Sequence, residues 1–379
     1  MSNDPYAAVL ESLLPLAEQG DAESQYNLGA MYFHGRGTSE NFQEAIAWFR
    51  KAAEQNHVDA QRRLGYMYEE GKGTQRDDAQ AAAWFQKAAM QGDARSQNNL
   101  AVRYARGFGV PKNFKKAAAW FREAAIQGHA QAQIHLGYLY SKGLGVPVDE
   151  SQAVSWYRKA AEQGDARAQN NLAVRYATGQ GVEQDITTAV SWYKKAASQG
   201  NARAQNNLGV RYAKGDGVQQ DDKIAVSWFR KAAMQDNINA QVHLGYMYAK
   251  GQGVPQSFPQ AIAWFRKAAD LGSADAQYSL ASLYFHGQGV KQDFKQAFEW
   301  CRKAADQGHA DAQYNLGVMC FNGRGISKDD KLALVWFRKA VEQGHGGAHK
   351  ALNWYRERAI GQANPAAEAN ADSRFANFG

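Results

Sequence analysis

The sequence predicts an all-α solenoid, a stack of nine helix-turn-helix units of 36 residues each. Three observations carry that reading. Trp48, Trp84, Trp120, Trp156, Trp192, Trp228, Trp264, Trp300 and Trp336 each follow the last by 36 residues, with no insertion between them. The same register returns Leu28 through Leu316, Ala45 through Ala333, Gly35 through Gly323 and Gly37 through Gly325. Within a unit, the recurring positions fall at helical spacing. A period this long and this strict marks a repeat array, in which each unit buries its apolar face against its neighbours.

The elements follow in order. Residues 1–20 form an N-terminal cap: Tyr6 to Gln19 carries Leu10, Leu13, Leu14 and Leu16 and stops at Gly20. Residues 21–344 are the nine repeats. Each opens on helix A, in which Gln25, Leu28, Gly29 and Tyr32 recur at i, i+3, i+4, i+7 spacing behind a capping residue, Asp21 in the first unit and His57, His129 or His309 in others. Gly35 closes helix A where φ > 0 is needed. After Gly37 and a short loop, Asn41 or an equivalent aspartate starts helix B, and Glu44 after Asn41 or Gln152 after Asp149 completes the spacing of a capping box. Helix B presents Ala45, Trp48, Phe49, Ala52 and Ala53 on one face. Burying one such tryptophan removes ~150–250 Å² from water, at most ~4–6 kcal/mol. Residues 345–360 repeat helix A in degenerate form, with Leu352 in register, His349 in place of glutamine and Tyr355 one place early, as suits a C-terminal cap. Residues 361–379 have no periodicity and are expected to be disordered, with Phe375 and Phe378 a candidate docking motif.

Composition bounds the function. The apolar fraction of 45% rules out global disorder. No stretch approaches the ~20 apolar residues of a membrane span, and residues 1–20 lack the pattern of a signal peptide, so the chain is expected in the cytoplasm. Cys301 and Cys320 each replace an aromatic at a repeat position and read as buried core thiols, or as a pair brought into contact. A net charge of +7 and a pI near 9.1 favour acidic partners.

Asp165 to Tyr176 (Asp-Ala-Arg-Ala-Gln-Asn-Asn-Leu-Ala-Val-Arg-Tyr), then Gly179-Gln180-Gly181-Val182, then Ala189 to Ala197 (Ala-Val-Ser-Trp-Tyr-Lys-Lys-Ala-Ala) resemble the Sel1-like repeat, a relative of the tetratricopeptide repeat. The resemblance covers about Asp21 to Gly344. It implies a right-handed superhelix of antiparallel helix pairs that serves as a protein-interaction scaffold or adaptor, mostly in bacteria. Secreted relatives carry a disulfide within each repeat. This chain lacks those cysteines, which fits a reducing compartment.

Nothing in the pattern points to catalysis. Gly-x-Gly joins helix to helix nine times, with no preceding strand and no Lys-Ser/Thr after it, so it is a turn. The histidines fall at helix starts or at isolated repeat positions and show no metal spacing. No nucleophile, base and orienting group recur together, and no cofactor is implied.

If the repeats are the scaffold, function belongs where they differ. The helix A face opposite Leu28 comprises the positions of Glu23, Asn27, Ala30, Met31 and His34, and in tetratricopeptide-like folds this face lines the concave groove. There the third unit carries Arg95, Asn99, Arg103 and Arg106, the fourth His135 and Lys142, and the fifth Arg167, Asn171 and Arg175. The sixth carries Arg203, Asn207, Arg211 and Lys214, and the seventh Lys250. At the ends the first position is acidic, in Glu23, Asp59, Asp275 and Asp311. The expected site is a groove that is basic in the middle. Asparagine can bond a peptide main chain and arginine can hold a carboxylate in a bidentate pair, while asparagine at the Asn27 position can equally stitch neighbouring helices together.

The leading reading is a non-enzymatic scaffold that binds an acidic protein or extended peptide segment in this groove. A narrower version is an inhibitor or immunity protein wrapped around a toxin or enzyme. A nucleic-acid binder is the other class, against which stand the modest net charge, the acidic ends and the absence of a basic tail.

Overall fold

The computed structural model of the chain describes residues 6–359, and the expected tail with Phe375 and Phe378 lies outside them. The elements are α1 (Ala7–Glu18), α2 (Ala22–His34), α3 (Phe42–Glu54), α4 (Val58–Glu70), α5 (Asp78–Met90), α6 (Ala94–Arg106), α7 (Phe114–Ile126), α8 (Ala130–Lys142), α9 (Glu150–Glu162), α10 (Ala166–Thr178) and α11 (Ile186–Ser198), followed by α12 (Ala202–Lys214), α13 (Asp222–Ala233), α14 (Ile238–Lys250), α15 (Phe258–Asp270), α16 (Ala274–His286), α17 (Phe294–Asp306), α18 (Ala310–Asn322), α19 (Asp330–Glu342) and α20 (Gly346–Ala359). Among the described residues there is no strand. The chain divides into two compact units, residues 1–195 and 196–379. Each is an all-α stack of repeats in which helix A precedes helix B.

Both units fold for the same local reasons. Helix A starts where a side chain accepts the free N–H of the third helical residue: Asp21 Oδ2 from Ser24 N at 2.7 Å, or His57 Nδ1 from Ala60 N at 3.2 Å. It ends at a glycine in the left-handed region, such as Gly35 with φ 62°. Helix B starts on Asn41 Oδ1, which accepts from Gln43 and Glu44 N at 3.1 Å. The reciprocal half of the expected capping box is not made. The backbone N–H of Asn41 donates to Tyr32 O at 2.8 Å and that of Asp149 to Tyr140 O at 3.0 Å, so the last turn of helix A already satisfies the donor that Glu44 or Gln152 would have taken. The second glycine of the turn lets successive repeats touch. A Cβ on Gly73, with φ 70°, would lie 2.4 Å from Phe42 O at the start of the preceding helix B.

The cores are leucine, alanine and aromatic rings. In the first unit Leu28, Leu64, Leu100, Leu136 and Leu172 are fully buried, and in the second Leu208, Leu244, Leu280 and Leu316. Phe49, Phe85, Phe229 and Phe265 fill the spaces opposite them. Cys301 and Cys320 are free and fully buried, and Cys301 Sγ donates to Ala312 O at 3.2 Å. Burial pushes both thiols up, that of Cys320 to about 12, so neither is a ready nucleophile.

A polar ladder runs beside each core. Gln25 Nε2 donates to Ala17 O at 3.0 Å, and its Oε1 accepts from Gln55 Nε2 at 2.8 Å. The motif returns as Gln61 with Gln91, Gln97 with Gln127 and Gln133 with Gln163 in the first unit, and as Gln205 with Gln235, Gln277 with Gln307 and Gln313 with Gln343 in the second. It breaks at Gln241. Leu271 stands where the donor glutamine belongs, and the buried Gln241 Oε1 has no partner.

Candidate partner-binding face

Helix A buries more of its circumference than an amphipathic surface helix does. Met31 lies three residues after Leu28, about 60° round the helix at 100° per residue, and is buried. The position of Met31 is therefore a seam between repeats. Met67, Leu139, Met247, Leu283 and Met319 occupy it as core residues. This corrects the expectation for Arg103, Arg175 and Arg211, which share the position and do not stand on an open face.

Arg103 is 2% exposed and makes ion pairs with Glu69 at 3.0 Å and Asp78 at 3.2 Å, its guanidinium 5.2 Å from the Phe85 ring centroid. Partial burial acts to raise the pKa of Asp78, but Arg103 and Arg76 outweigh it and hold the carboxyl below its ordinary value. Arg175 pairs with Glu150 at 2.8 Å and with Gln180 Oε1 at 2.6 Å, and Arg211 with Asp216 at 3.1 Å. These arginines are committed to their own chain.

The acidic positions at the ends are committed too. Glu23 meets His57 at 3.0 Å, Asp275 meets His309 at 3.4 Å and Asp311 meets His345 at 3.3 Å. Each of those histidines caps a helix A and stacks on a tyrosine: His57 on Tyr26 at 4.7 Å, His309 on Tyr278 at 4.7 Å, His345 on Tyr314 at 4.5 Å. Asp59 pairs with Arg62, which also holds Asp93 at 2.7 Å.

What remains exposed is a smaller set. In the first unit it is Arg95, Arg106, Lys142 and Arg167. Arg167 touches Gln131 and lies 3.9 Å from Asp165. Between them His135 stacks on Phe121 at 4.8 Å. Burial first, then the charges of Arg167, Arg106 and His129, push His135 down to about 4, so its imidazole is neutral at physiological pH. Beside it Tyr138 is 49% exposed. Asn99 Nδ2 donates to Tyr66 Oη at 2.8 Å, which gives this asparagine the stitching role. Asn171 is half-buried at the same position.

In the second unit the set is Arg203, Lys214 and Lys250, with Asn207 half-buried among them. A cavity of about 270 Å³ opens here, with Phe229 and Met247 among its apolar walls and Lys214, Lys250, His243 and Tyr246 around them. His243 stacks on Phe229 at 4.7 Å, and Tyr246 Oη lies 3.0 Å from Ser279 Oγ. Burial first, then Lys214, lower the pKa of His243.

The repeat seen in this geometry matches a known unit nine times over: residues 22–57, 58–93, 94–129, 130–165, 166–201, 202–237, 238–273, 274–309 and 310–345 each fit the Sel1 repeat. The chain belongs to the Sel1 repeat family. A solved protective antigen of uropathogenic Escherichia coli strains, which displays an SLR fold, is 37% identical with a TM-score of 0.60, over 93% of this chain and 84% of that one. A Sel1 repeat protein from Oxalobacter formigenes is 36% identical with a TM-score of 0.64, over 80% of this chain and 87% of that one. A sel1-like repeat-containing protein of Acanthamoeba polyphaga mimivirus is 46% identical over 43 residues, a match that spans 11% of this chain and 7% of that protein.

Sel1 repeat proteins generally mediate protein–protein interaction and are typically non-catalytic. No helix among the described residues is long and apolar enough to cross a membrane. Of the basic residues expected on this face, those at the Glu23 and His34 positions, Arg95, Arg106, Lys142, Arg167, Arg203, Lys214 and Lys250, are exposed. Sequence reasoning missed Tyr138, Tyr246 and the pocket. The signal for the acidic ends was present: tyrosine at the Tyr26 position occurs only in the first, eighth and ninth repeats, each with a histidine 31 residues on.

Proposed function

We propose that this Sel1 repeat protein is a non-enzymatic scaffold or adaptor that binds an acidic, extended protein segment on the exposed face of its A helices. The observation that supports the reading is the set of cations left over once the seams are filled. Lys214 and Lys250 form no ion pair among the described residues, stand one repeat apart, and flank an apolar pocket. Neighbouring helices pack ~8–10 Å apart and an extended chain advances ~3.3 Å per residue, so two lysines one repeat apart suit carboxylates about three residues apart with an apolar side chain between them. Arg95, Arg106, Lys142 and Arg167 are exposed cations on the A helices of the first unit. Two free buried thiols suit the cytoplasm, where we place its work.

The test is selection from a displayed random-peptide library on the wild-type chain and on Lys214→Glu/Lys250→Glu, with circular dichroism to confirm that both fold. Enrichment of acidic peptides with an internal apolar residue, lost in the double variant, supports the reading. Enriched peptides without acidic bias, or binding that survives the charge reversal, overturn it.

A further inference from the structure

Eight of the nine repeats cover their tryptophan with a lysine of their own. On helix B the lysine three residues after the tryptophan shares its face. Its Nζ lies 3.8 to 4.6 Å from the indole centroid, from Lys51 over Trp48 to Lys339 over Trp336. An ammonium over an indole is attracted by the negative face of the ring. In the third repeat that lysine is Glu123. The tryptophan is kept and the charge beside it is reversed.

A cavity of about 400 Å³ opens at this place, lined by Trp120, Glu123, Ala118, Ala119 and Val146, and by Lys115 and Arg122. No cation pairs with the Glu123 carboxylate among the described residues. The two basic neighbours do not take the missing lysine's place. Arg122 is bound to the Tyr140 hydroxyl, as Arg158 is to Tyr176 at 2.9 Å one repeat later. Lys115 is exposed, where water and salt screen its charge.

We propose that this cavity is a docking site for a lysine side chain of a basic partner segment. The ammonium sits between the Trp120 ring and the Glu123 carboxylate, in the geometry that the other repeats supply from within, and its aliphatic stem runs along Ala118, Ala119 and Val146. Charge complementarity selects the occupant: a carboxylate three residues from an open indole face disfavours an acid and attracts a cation. The site lies on helix B and is separate from the A-helix face, so the basic segment and the acidic one are different ligands.

The experiment uses the full chain with ¹⁵N-labelled tryptophan indoles, the Trp120 signal being assigned with Trp120→Phe. The wild type, Glu123→Gln and Glu123→Lys are each titrated with acetyl-Gly-Lys-Gly-amide and with acetyl-Gly-Gln-Gly-amide. Glu123→Lys carries the residue found at this position in eight repeats, and circular dichroism checks that it folds. The expected result is a Trp120 shift with the lysine peptide alone, weaker in Glu123→Gln and absent in Glu123→Lys, whose own ammonium fills the place. No shift in the wild type, an equal shift in Glu123→Lys, or an equal response to the glutamine peptide overturns the proposal.

Discussion

The seam between the second and third repeats and the seam between the third and fourth use one backbone arrangement and opposite chemistry. In the first, Arg103 of α6 reaches Asp78 at the start of α5. In the second, Leu139 of α8 packs in the apolar cluster that also takes Phe114 at the start of α7. Each pair is 25 residues apart, so the residue that opens helix B selects what the next helix A carries. The rule returns as Glu150 with Arg175, Phe258 with Leu283 and Phe294 with Met319. It fails at Met247, which follows Asp222 by that spacing. The difference between the seams shows that regular recurrence of a basic residue in a repeat does not make it a surface residue. What decides is whether another element supplies its counter-charge.

The largest way to break the comparison is Arg103→Glu, which sets a carboxylate beside Glu69 and Asp78 in a buried place. Arg103 is buried but Glu69 and Asp78 are partly exposed, so the loss of stability stays below the ~3–5 kcal/mol of a fully buried pair, and the expected outcome is a lowered urea midpoint, with hydrogen exchange speeding first in α5 and α6. Asp78→Phe/Arg103→Met instead rebuilds the chemistry of the Phe42 and Met67 seam. Replacing a buried pair by apolar residues of similar volume is often neutral or stabilising, so the double variant should recover to within ~1 kcal/mol of the wild type. Wild-type stability in Arg103→Glu would return this residue to the open face.

A smaller effect separates seam from face by pH. His135 titrates at about 4 in the folded chain and near the ordinary ~6.5 when unfolded. As pH falls from 6.5 towards 4 the unfolded chain takes up a proton that the folded chain refuses, so stability falls across that window and is unaffected by this group above it. His135→Asn, the residue found at the same position in Asn99 and Asn171, should flatten the slope of stability against pH between those limits. Equal slopes in the two chains would mean that neither its burial nor the cations around it hold the His135 pKa down.

How much of this was legible in the sequence follows from what a period can report. The repeat boundaries, caps and turns were readable because each depends on its own few residues: Asp21 caps, Gly35 turns, Leu28 is buried. The exposure of Arg103 was not, because it depends on Asp78 in another repeat and on a helix enclosed on both flanks. Treating helix A as having one core face put the Met31 position, only about 60° round the helix from Leu28, on the open side, and Gly73 against Phe42 is the backbone reason that it is covered. The pocket beside Lys214 was illegible for a similar reason. Its walls come from three helices, α12, α13 and α14, and only their packing brings Phe229 beneath His243.

The smallest expected effect belongs to the break in the glutamine ladder, and it sharpens the comparison because the two sides differ by one residue. Leu271 leaves Gln241 Oε1 buried without a donor, whereas Gln307 satisfies Gln277 at 2.8 Å in the next repeat. Leu271 is 49% exposed, so replacing it forfeits little apolar burial. Leu271→Gln should therefore restore the bond seen elsewhere and stabilise the chain by ~1 kcal/mol. Gln307→Leu should cost ~1–2 kcal/mol, since it leaves a second buried acceptor unpaired. Urea denaturation of both variants measures the pair. Opposite signs of comparable size identify the ladder as a sum of independent seams, and a Leu271→Gln variant no more stable than the wild type would show that water already serves Gln241.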